Sequence, residues 1–263
     1  MKGGVQVGVK LINSRGEELI LPFQFSWTDI PRTINVPRSE MATGDGTRRA
    51  GKETVEEFSF TVEGTIWDID RSENIDQRDS IADFIQYTPI RVYQLPNDDR
   101  FVYAHVQDFD QNWQDERTQL DLNIVFAALD PFFYGEQQMQ ENVISLNEEN
   151  GYSRELTVES EGNRVNFPVI ELTITTSGEG FTVQNLENGS NFEYEGELTS
   201  GDLLIIDCDS AEVSVNNENK LNNANVEFLV NSFFLNPDGN TLLFESESEI
   251  EFESEIKYQA RWF

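Results

Sequence analysis

The chain contains few of the residue types that enzymes use for acid–base or nucleophilic chemistry. His105 is the only histidine, so neither a triad with a second histidine nor a zinc site built from several histidines can be assembled. His105 follows Tyr103 and precedes Gln107 in the alternating pattern of a strand. This position favours a structural role.

Residues 68–79 (DIDRSENIDQRD) resemble a calcium-binding loop, with oxygen-bearing side chains at loop positions 1, 3, 5, 7, 9 and 12. However, Glu73 occupies the position of the sharp-turn glycine, and Asp79 replaces the final bidentate glutamate. A strand pattern, not a helix pattern, precedes the stretch. We therefore interpret it as the start of a helix, where the helix dipole favours acidic residues, and not as a metal site.

Two further kinds of chemical site can be considered. The Gly44-Asp45-Gly46 stretch lacks the lysine and the following helix of a phosphate-binding loop. Paired carboxylates can cleave glycosides, but 49 acidic residues supply so many pairs that none is singled out. We predict that the protein is not an enzyme and has no catalytic residues, no cofactor and no metal.

The charge balance is far from ordinary, with 18 basic and 49 acidic residues and a formal net charge of -31. A surface that binds duplex DNA needs clustered Lys and Arg, so specific DNA binding is not expected, although DNA can pass an acidic wall. Such a charge makes the compact state repel itself unless salt screens it. The composition is typical of a halophilic protein.

Cellular location is constrained by three features. Cys208 is the only cysteine, so no intrachain disulfide forms, which fits assembly in a reducing cytoplasm. The N-terminus lacks the apolar run of a signal peptide, so ordinary export is not expected. No window approaches 18 continuous apolar residues, so no membrane insertion is expected.

The length of 263 residues suits one large or two ordinary domains. In the first half, antiparallel strands and one helix lead to Leu120–Gly135, which alternates as a half-buried strand until Pro131 removes a backbone donor. Three adjacent aromatic residues follow, and we expect them to cover a seam between two bodies. We place the hinge at Asp130–Tyr134 and the domains at 1–137 and 138–263.

A long segment without periodicity, Pro31–Lys52, carries the positive charge of the first domain. Long loops of this kind are usually functional or disordered. The segment holds five basic residues against Glu40 and Asp45, and another acidic copy of the same chain is an obvious partner. We therefore predict a subunit interface at Arg32, Arg38, Arg48, Arg49 and Lys52. The alternative is a solvated, mobile loop.

The second half consists of short strand patterns separated by Gly- and Asn-containing turns, which indicates a β-sandwich. It has five basic and 25 acidic residues over 138–263, against 13 and 24 over 1–137. Near the C-terminus, Phe244–Ile256 (FESESEIEFESEI) has glutamate at every second position. On one strand, this pattern would put six carboxylates on a single face, which we interpret as a solvated surface.

The second half resembles a known family through several weak motifs in a fixed order. They are Phe167-Pro168-Val169-Ile170, Gly196-Glu197-Leu198, Leu203–Cys208, Phe233–Pro237 and Tyr258–Trp262. This succession is similar to the C-terminal β-sandwich of phage distal tail proteins, a siphovirus tail component family. The long loop with Gly and Arg, and the DPFFYG hinge of the first half, also look like that family.

The resemblance implies a mainly β fold, with a barrel-like, ring-forming N-terminal domain that includes one helix and a galectin-like C-terminal β-sandwich. It implies a hexameric adaptor at the virion tail tip, assembled in the host cytoplasm. The partners would be the tail tube protein, the hub or tip protein, and fibres or a receptor-binding protein, with DNA passing through the lumen. The alternatives are a carbohydrate-binding sandwich module for attachment to host cells and a glycan-cleaving enzyme.

Overall fold

The computed structural model describes residues 8–21, 25–28, 34–35, 38–40, 47–49, 54–55, 58–67, 70–95, 97–115, 119–130, 132–225, 228, 233–237 and 239–262. The chain divides into two compact units, Met1–Tyr134 and Gly135–Phe263. Both are mainly β, and the described residues include one α-helix, so the predicted fold class is confirmed. No helix in the described part of the chain is long and apolar enough to cross a membrane.

The N-terminal unit contains eleven strands and helix α1 among its described residues. Their bounds are β1 (Gly8–Ile12), β2 (Glu18–Leu21), β3 (Ser26–Thr28), β4 (Ile34–Asn35), β5 (Arg38–Glu40), β6 (Thr47–Arg49), β7 (Thr54–Val55), β8 (Ser59–Trp67), α1 (Arg71–Phe84), β9 (Ile90–Leu95), β10 (Asn97–Asp115) and β11 (Gln119–Ala128). The main sheet has the antiparallel order β3-β8-β11-β10-β9-β1-β2. Within the described residues, no pairing between β2 and β3 closes this sheet into a barrel.

The alternation of apolar and polar residues along each strand determines which face of this sheet is buried. Phe60 and Val62 on β8, and Leu122 and Ile124 on β11, are almost fully buried, while the residues between them face outward. Phe60 stacks on Trp27 at a ring-centroid distance of 4.1 Å and on Phe126 at 5.4 Å. Aromatic stacking across β3, β8 and β11 therefore builds the centre of the core.

Helix α1 begins where the sequence analysis placed a helix start. Asp70 is the N-cap, and its carboxylate accepts a hydrogen bond from the backbone N–H of Ser72 at 3.0 Å. Ile81 and Phe84 bury the apolar face of the helix. In the described part of residues 68–79, the helix interpretation is confirmed.

The aromatic residues of the predicted hinge have packing partners within the N-terminal unit. Tyr134 packs with Tyr93 and Phe101 in a small buried cluster, and Phe132 borders that cluster. Phe133 lies 6.1 Å from the ring of Trp27. The Asp130 carboxylate accepts hydrogen bonds from the backbone N–H of Phe132 and from the hydroxyl of Tyr134. These contacts hold the C-terminal end of the N-terminal unit against its own residues.

The C-terminal unit is a two-sheet sandwich. Its strands are β12 (Phe133–Leu146), β13 (Ser153–Val158), β14 (Val169–Thr176), β15 (Gly178–Asn185), β16 (Asn191–Leu198), β17 (Leu203–Asp207), β18 (Glu212–Val215), β19 (Glu218–Asn219), β20 (Asn240–Glu245) and β21 (Ile250–Trp262). One sheet has the order β12-β21-β14-β17-β18-β19, and the other has β13-β20-β15-β16. Inward residues of both sheets, including Phe181, Phe192, Phe244 and Phe252, form one core.

The prediction that Phe244–Ile256 forms a single strand is wrong. Strand β20 ends at Glu245, and β21 begins at Ile250 in the opposite sheet. Two serine hydroxyls hold the corner between them, because Ser246 donates to the carbonyl of Gly180 at 2.9 Å and Ser248 donates to that of Glu179 at 3.2 Å. Only Glu251, Glu253 and Glu255 of the six glutamates therefore share one strand.

Candidate subunit interface

The basic segment contains short strands that the sequence analysis did not predict. Strands β5 and β6 pair antiparallel, and their register puts Arg38 opposite Arg49 and Ser39 opposite Arg48. A second short pair joins β4 and β7. Strands of two or three residues are too short to show alternation, which is why the pattern predicted only a loop. Arg32 and Lys52 lie outside the described residues.

The outward face of the N-terminal sheet carries a grid of polar side chains, which we call the carboxylate face. In one row across four strands, Ser26 lies opposite Glu63, Glu63 opposite Asn123, and Asn123 opposite Asp110. In the next row, Thr65 lies opposite Asp121, and Asp121 opposite Asn112; Trp67 and Gln119 face each other beyond it. These residues, Trp67 excepted, line an open groove, and none of its described lining residues is basic.

The three carboxylates of this face differ in how they are held. Asp121 accepts a hydrogen bond from the Thr65 hydroxyl at 2.7 Å and one from the Gln119 amide at 3.4 Å. Partial burial raises the pKa of Asp121, but the hydrogen bonds from Thr65, Gln114 and Gln119 outweigh it, and the pKa is lowered. Glu63 and Asp110 are exposed, and neither forms an ion pair within the described part of the chain.

Trp67 is 73% exposed, and no other aromatic side chain is among the exposed large hydrophobic residues of the described chain. It ends β8 on the outward face because Ile66 takes the inward position. Along the same strand, a Cβ at Gly64 would lie 2.4 Å from the ring of Phe25, so only glycine allows this close packing. The close packing of Phe25 against Gly64 therefore holds β8 in place next to the exposed side chain of Trp67.

The sequence analysis did not single out Trp67, Glu63 or Asp110. The signal for Trp67 was present, since the alternation Phe60, Val62 and Ile66 assigns Trp67 to the opposite face of the strand. No signal in the sequence could have joined Glu63 to Asp110, because they meet only through the pairing of β8 with β11 and of β11 with β10.

The C-terminal unit has an acidic groove of its own, on the outward face of the four-stranded sheet. Thr182 lies opposite Glu193 on one side and opposite Glu245 on the other, and all three line the groove. Phe181 and Tyr194 of the same strands are only 2% and 3% exposed, so they belong mainly to the core. The same is true of Phe192, which is fully buried.

In the six-stranded sheet, Lys257 forms ion pairs with two glutamates. The ammonium of Lys257 lies 2.7 Å from a carboxylate oxygen of Glu171 and 3.0 Å from one of Glu255. Hydrogen bonds from Lys257 to Glu171 and Glu255 raise its pKa, against a smaller opposing effect of desolvation. Because Glu171 and Glu255 are direct cross-strand partners, Lys257 separates two like charges.

The other chemical candidates are scattered. His105 is an exposed residue of β10, and Cys208 is buried with a pKa raised well above the ordinary thiol value by desolvation. Gly44-Asp45-Gly46 lies outside the described residues. Within the described residues, no group of three or more His, Cys, Asp or Glu side chains could hold a metal ion.

A family model matches most of the C-terminal unit. Residues 161–262 match the family model described as siphovirus-type tail component, C-terminal domain. No curated protein matches the chain.

Solved structures match nearly the whole chain. The crystal structure of the SPP1 Dit (gp 19.1) protein, described as a paradigm of the hub adsorption apparatus in phages that infect Gram-positive bacteria, has 15% sequence identity and a TM-score of 0.65. The match covers 97% of this chain and 99% of that chain. A chain of the phage P2 baseplate, in its activated conformation with calcium, has 8% identity and a TM-score of 0.51, and the match covers 97% and 98% of the two chains.

At these identities, the structural matches establish the fold, and the family model adds the class of protein for the C-terminal domain. Together they confirm the resemblance that the ordered motifs of the second half indicated. Over residues 161–262 the chain is similar to the C-terminal domain of siphovirus-type tail components, and over nearly its whole length it has the fold of SPP1 Dit.

Proposed function

We propose that the protein forms a hexameric ring at the tail tip, where it joins the tail tube to the hub and to fibres or a receptor-binding complex. The observation that carries this proposal is the fold shared with SPP1 Dit over 97% of the chain. A fold kept over both units favours a role that uses both: one unit for the ring and one for projection. The ring-forming role belongs to residues 1–137, and the projecting role to the sandwich.

The proposed role is structural and not enzymatic. The family model describes a tail component, and the exposed polar residues are distributed over open sheet faces. The net charge of -31 suits a ring through which DNA passes without specific binding, since an acidic wall does not replace the counterions of DNA. The ring would be assembled in the host cytoplasm before it joins the virion.

Five basic residues are proposed to act at the ring interface, namely Arg32, Arg38, Arg48, Arg49 and Lys52. The charge of the segment supports this role, because residues 31–52 hold five basic residues and two acidic ones. A segment of this charge favours a partner that supplies negative charge. Every neighbouring copy in the ring would bring such charge.

Negative-stain imaging of the purified full-length protein tests the proposal. We expect six-fold symmetric rings with a central channel in buffer that contains enough salt to screen the acidic units. Particles of single-chain size at micromolar concentration, or filaments in place of closed rings, would refute the ring. Addition of the tail tube and hub proteins of the same virion should then produce stacks with the ring between them.

A carbohydrate-binding sandwich, the alternative from a different class, has no specific support. It would need aromatic side chains on an outer surface, and Phe181, Phe192 and Tyr194 are buried in the core.

A further inference from the structure

The chain contains two asparagine–glycine steps, Asn150-Gly151 and Asn188-Gly189, and both lie in turns of the C-terminal unit. Asparagine is thermolabile because its side-chain amide can be lost to the backbone nitrogen of the next residue. Glycine favours this reaction, since it has no side chain to hinder that nitrogen. Both glycines are in the left-handed region, at φ 64° and 73°, and a Cβ on either would meet nothing within 4 Å. The two steps are therefore alike in their covalent chemistry and in the space around the glycine.

Asn188 is held by a segment that is distant in the sequence. Its amide nitrogen donates to the carbonyl of Phe234 at 3.0 Å, and its amide oxygen accepts from the backbone N–H of Ser190 at 2.8 Å. The attacking nitrogen, that of Gly189, donates to the carbonyl of Asn185 at 2.8 Å. The fully buried side chain of Asn185 donates to the same Phe234 carbonyl. Release of Asn188 therefore requires the segment that contains Phe234 to detach from the turn.

The hydrogen-bond partners of the Asn150 side chain, by contrast, lie within five positions of it in the described chain. Its amide oxygen accepts from the backbone N–H of Asn147 at 3.0 Å, and its amide nitrogen donates to the carbonyl of Ser145. The attacking nitrogen of Gly151 donates to the carbonyl of Glu148 at 3.3 Å, a longer and weaker hydrogen bond than the 2.8 Å bond in the other turn. These contacts belong to one short 3-10 helix and its cap. The turn can therefore open locally while the two sheets stay paired.

The reaction needs water as its only co-reactant. The Gly151 nitrogen gives its proton to water and bonds to Cγ of Asn150, the bond between Cγ and the amide nitrogen breaks, and ammonia leaves. A five-membered imide remains, and water opens it at one of its two carbonyls. One product is aspartate, and the other is isoaspartate, in which the main chain runs through Cβ and Cγ. A carboxylate then stands where the amide donated to the Ser145 carbonyl, so repulsion between two oxygens replaces that hydrogen bond.

We propose that Asn150 is a self-modification site of the folded protein, deamidated after local opening of its turn, and that Asn188 is deamidated only when the C-terminal unit unfolds. Deamidation at Asn150 adds negative charge next to Glu148 and Glu149, in the turn between β12 of one sheet and β13 of the other. It therefore alters the folded protein over time, whereas deamidation at Asn188 follows unfolding. Neither reaction requires the proposed ring.

Peptide mass spectrometry of the full chain during incubation at mildly alkaline pH tests the proposal, because it resolves conversion at each asparagine. The chain unfolded in urea gives the intrinsic rate of each step. Relative to that rate, we expect conversion at native Asn150 to be slowed about 10- to 100-fold, since a few local hydrogen bonds oppose opening. Conversion at native Asn188 should be slowed more than about 1,000-fold, since it requires global unfolding of the unit.

Two mild variants separate local opening from global unfolding. Ile256→Val removes one methyl group from the core of the C-terminal unit, where Ile256 is fully buried. It should speed conversion at Asn188 about fivefold and leave the rate at Asn150 unchanged, because the turn opens without disturbing the core. Asn147→Ala removes the cap of the 3-10 helix. It should speed conversion at both sites about fivefold, since both openings start from the native state that the cap stabilises.

Low concentrations of urea, below the unfolding transition, provide an independent measurement. The rate at Asn188 should rise steeply with urea, because global unfolding exposes a large surface, and the rate at Asn150 should rise little. Equal protection of the two sites, or an Ile256→Val variant that speeds both, would overturn the assignment of separate opening events. Full conversion of the unfolded chain with no conversion at Asn150 of the native chain would overturn the modification site itself.

Discussion

The two units of this chain carry similar amounts of negative charge but very different amounts of positive charge. Residues 1–134 have 13 basic and 23 acidic residues, and residues 135–263 have five and 26. In the first unit, several cations lie on a short hairpin. In the second, Lys257 sits between two glutamates of its own sheet. Most of the positive charge therefore lies in the first unit, and the second unit is strongly acidic.

The cores of the two units also differ in construction. The N-terminal core is a single sheet covered by one helix and centred on the stack of Trp27, Phe60 and Phe126. The C-terminal core lies between two sheets, where Phe252 contacts Phe181 and Phe244 at ring-centroid distances of 5.6 and 5.8 Å. Since each cluster contains residues of one unit only, each unit should unfold as a separate transition.

The largest effects expected are those of truncated core aromatics. Phe252→Ala should lower the free energy of unfolding of the C-terminal unit by about 3–5 kcal/mol, and Phe60→Ala should do the same to the N-terminal unit. Differential scanning calorimetry of the two full-length variants should show one transition shifted in each case. A shift of both transitions by either variant would contradict the separation of the two cores.

A second prediction concerns salt and the C-terminal unit. Glu251, Glu253 and Glu255 on β21 are about 6.6 Å apart along the strand, and each neighbouring pair repels by roughly 0.6 kcal/mol in water. Raising NaCl from 0.1 to 2 M should therefore stabilise residues 135–263 by about 1–2 kcal/mol, because the Debye length falls to about 3 Å at 1 M. Thermal unfolding of this fragment measures the effect.

The matched control for salt is the fragment with Glu251→Gln and Glu253→Gln, which should gain less stability from NaCl. If screening of the carboxylates is the cause, millimolar calcium should not replace molar salt. A melting temperature that stays flat between 0.1 and 2 M NaCl would contradict the halophilic interpretation.

The corner at Thr199–Asp202 predicts a pH-dependent contribution to the C-terminal unit. Asp202 accepts hydrogen bonds from the Thr199 backbone N–H at 2.7 Å and from the Asn216 amide at 2.7 Å. The backbone hydrogen bond from Thr199 is the main cause of its lowered pKa. A lowered pKa means that the stabilisation is present above the ordinary value of 3.8 and is lost as the pH falls through the folded value.

Asp202→Asn should therefore destabilise the C-terminal unit by about 1 kcal/mol at pH 7, because one oxygen acceptor is replaced by a donor. The difference from the wild type should shrink below pH 3.8. Urea unfolding at pH 7 and pH 3 provides the comparison, and an equal difference at both pH values would show that the charge of Asp202 contributes nothing.

The smallest effect is expected at Lys257. Lys257→Met should lower stability by about 0.5 kcal/mol at low salt, since the two ion pairs are partly exposed and Glu171 then faces Glu255 without a cation between them. The further change Glu255→Gln should restore most of the loss. No restoration would mean that Lys257 acts through packing of its methylene chain and not through charge.

Period-two alternation was enough to predict the strands that build both cores, as at Leu120–Ala128, and the acidic residues of 68–79 were enough to predict the start of α1. The glutamate run near the C-terminus led to the wrong prediction of a single strand, because the alternation of glutamate and serine is the same along a strand and around a corner. Only the hydroxyl contacts of Ser246 and Ser248 with β15 show that the chain changes sheet there.

The candidate site residues could be predicted only in part. The positive charge of residues 31–52 can be counted in the sequence. The carboxylate face cannot be found in this way, because Glu63 and Asp110 are 47 positions apart and lie in one row only through the central strand β11. Cross-strand register is a property of the folded sheet, and no local pattern encodes it.

The most direct test of the contrast between the units is the native mass of the full chain measured beside that of residues 135–263, both at micromolar concentration and in the same salt. The account predicts six copies for the full chain and one copy for the fragment. A monomeric full chain, or a fragment that forms the same oligomer, would contradict the claim that the N-terminal unit carries assembly.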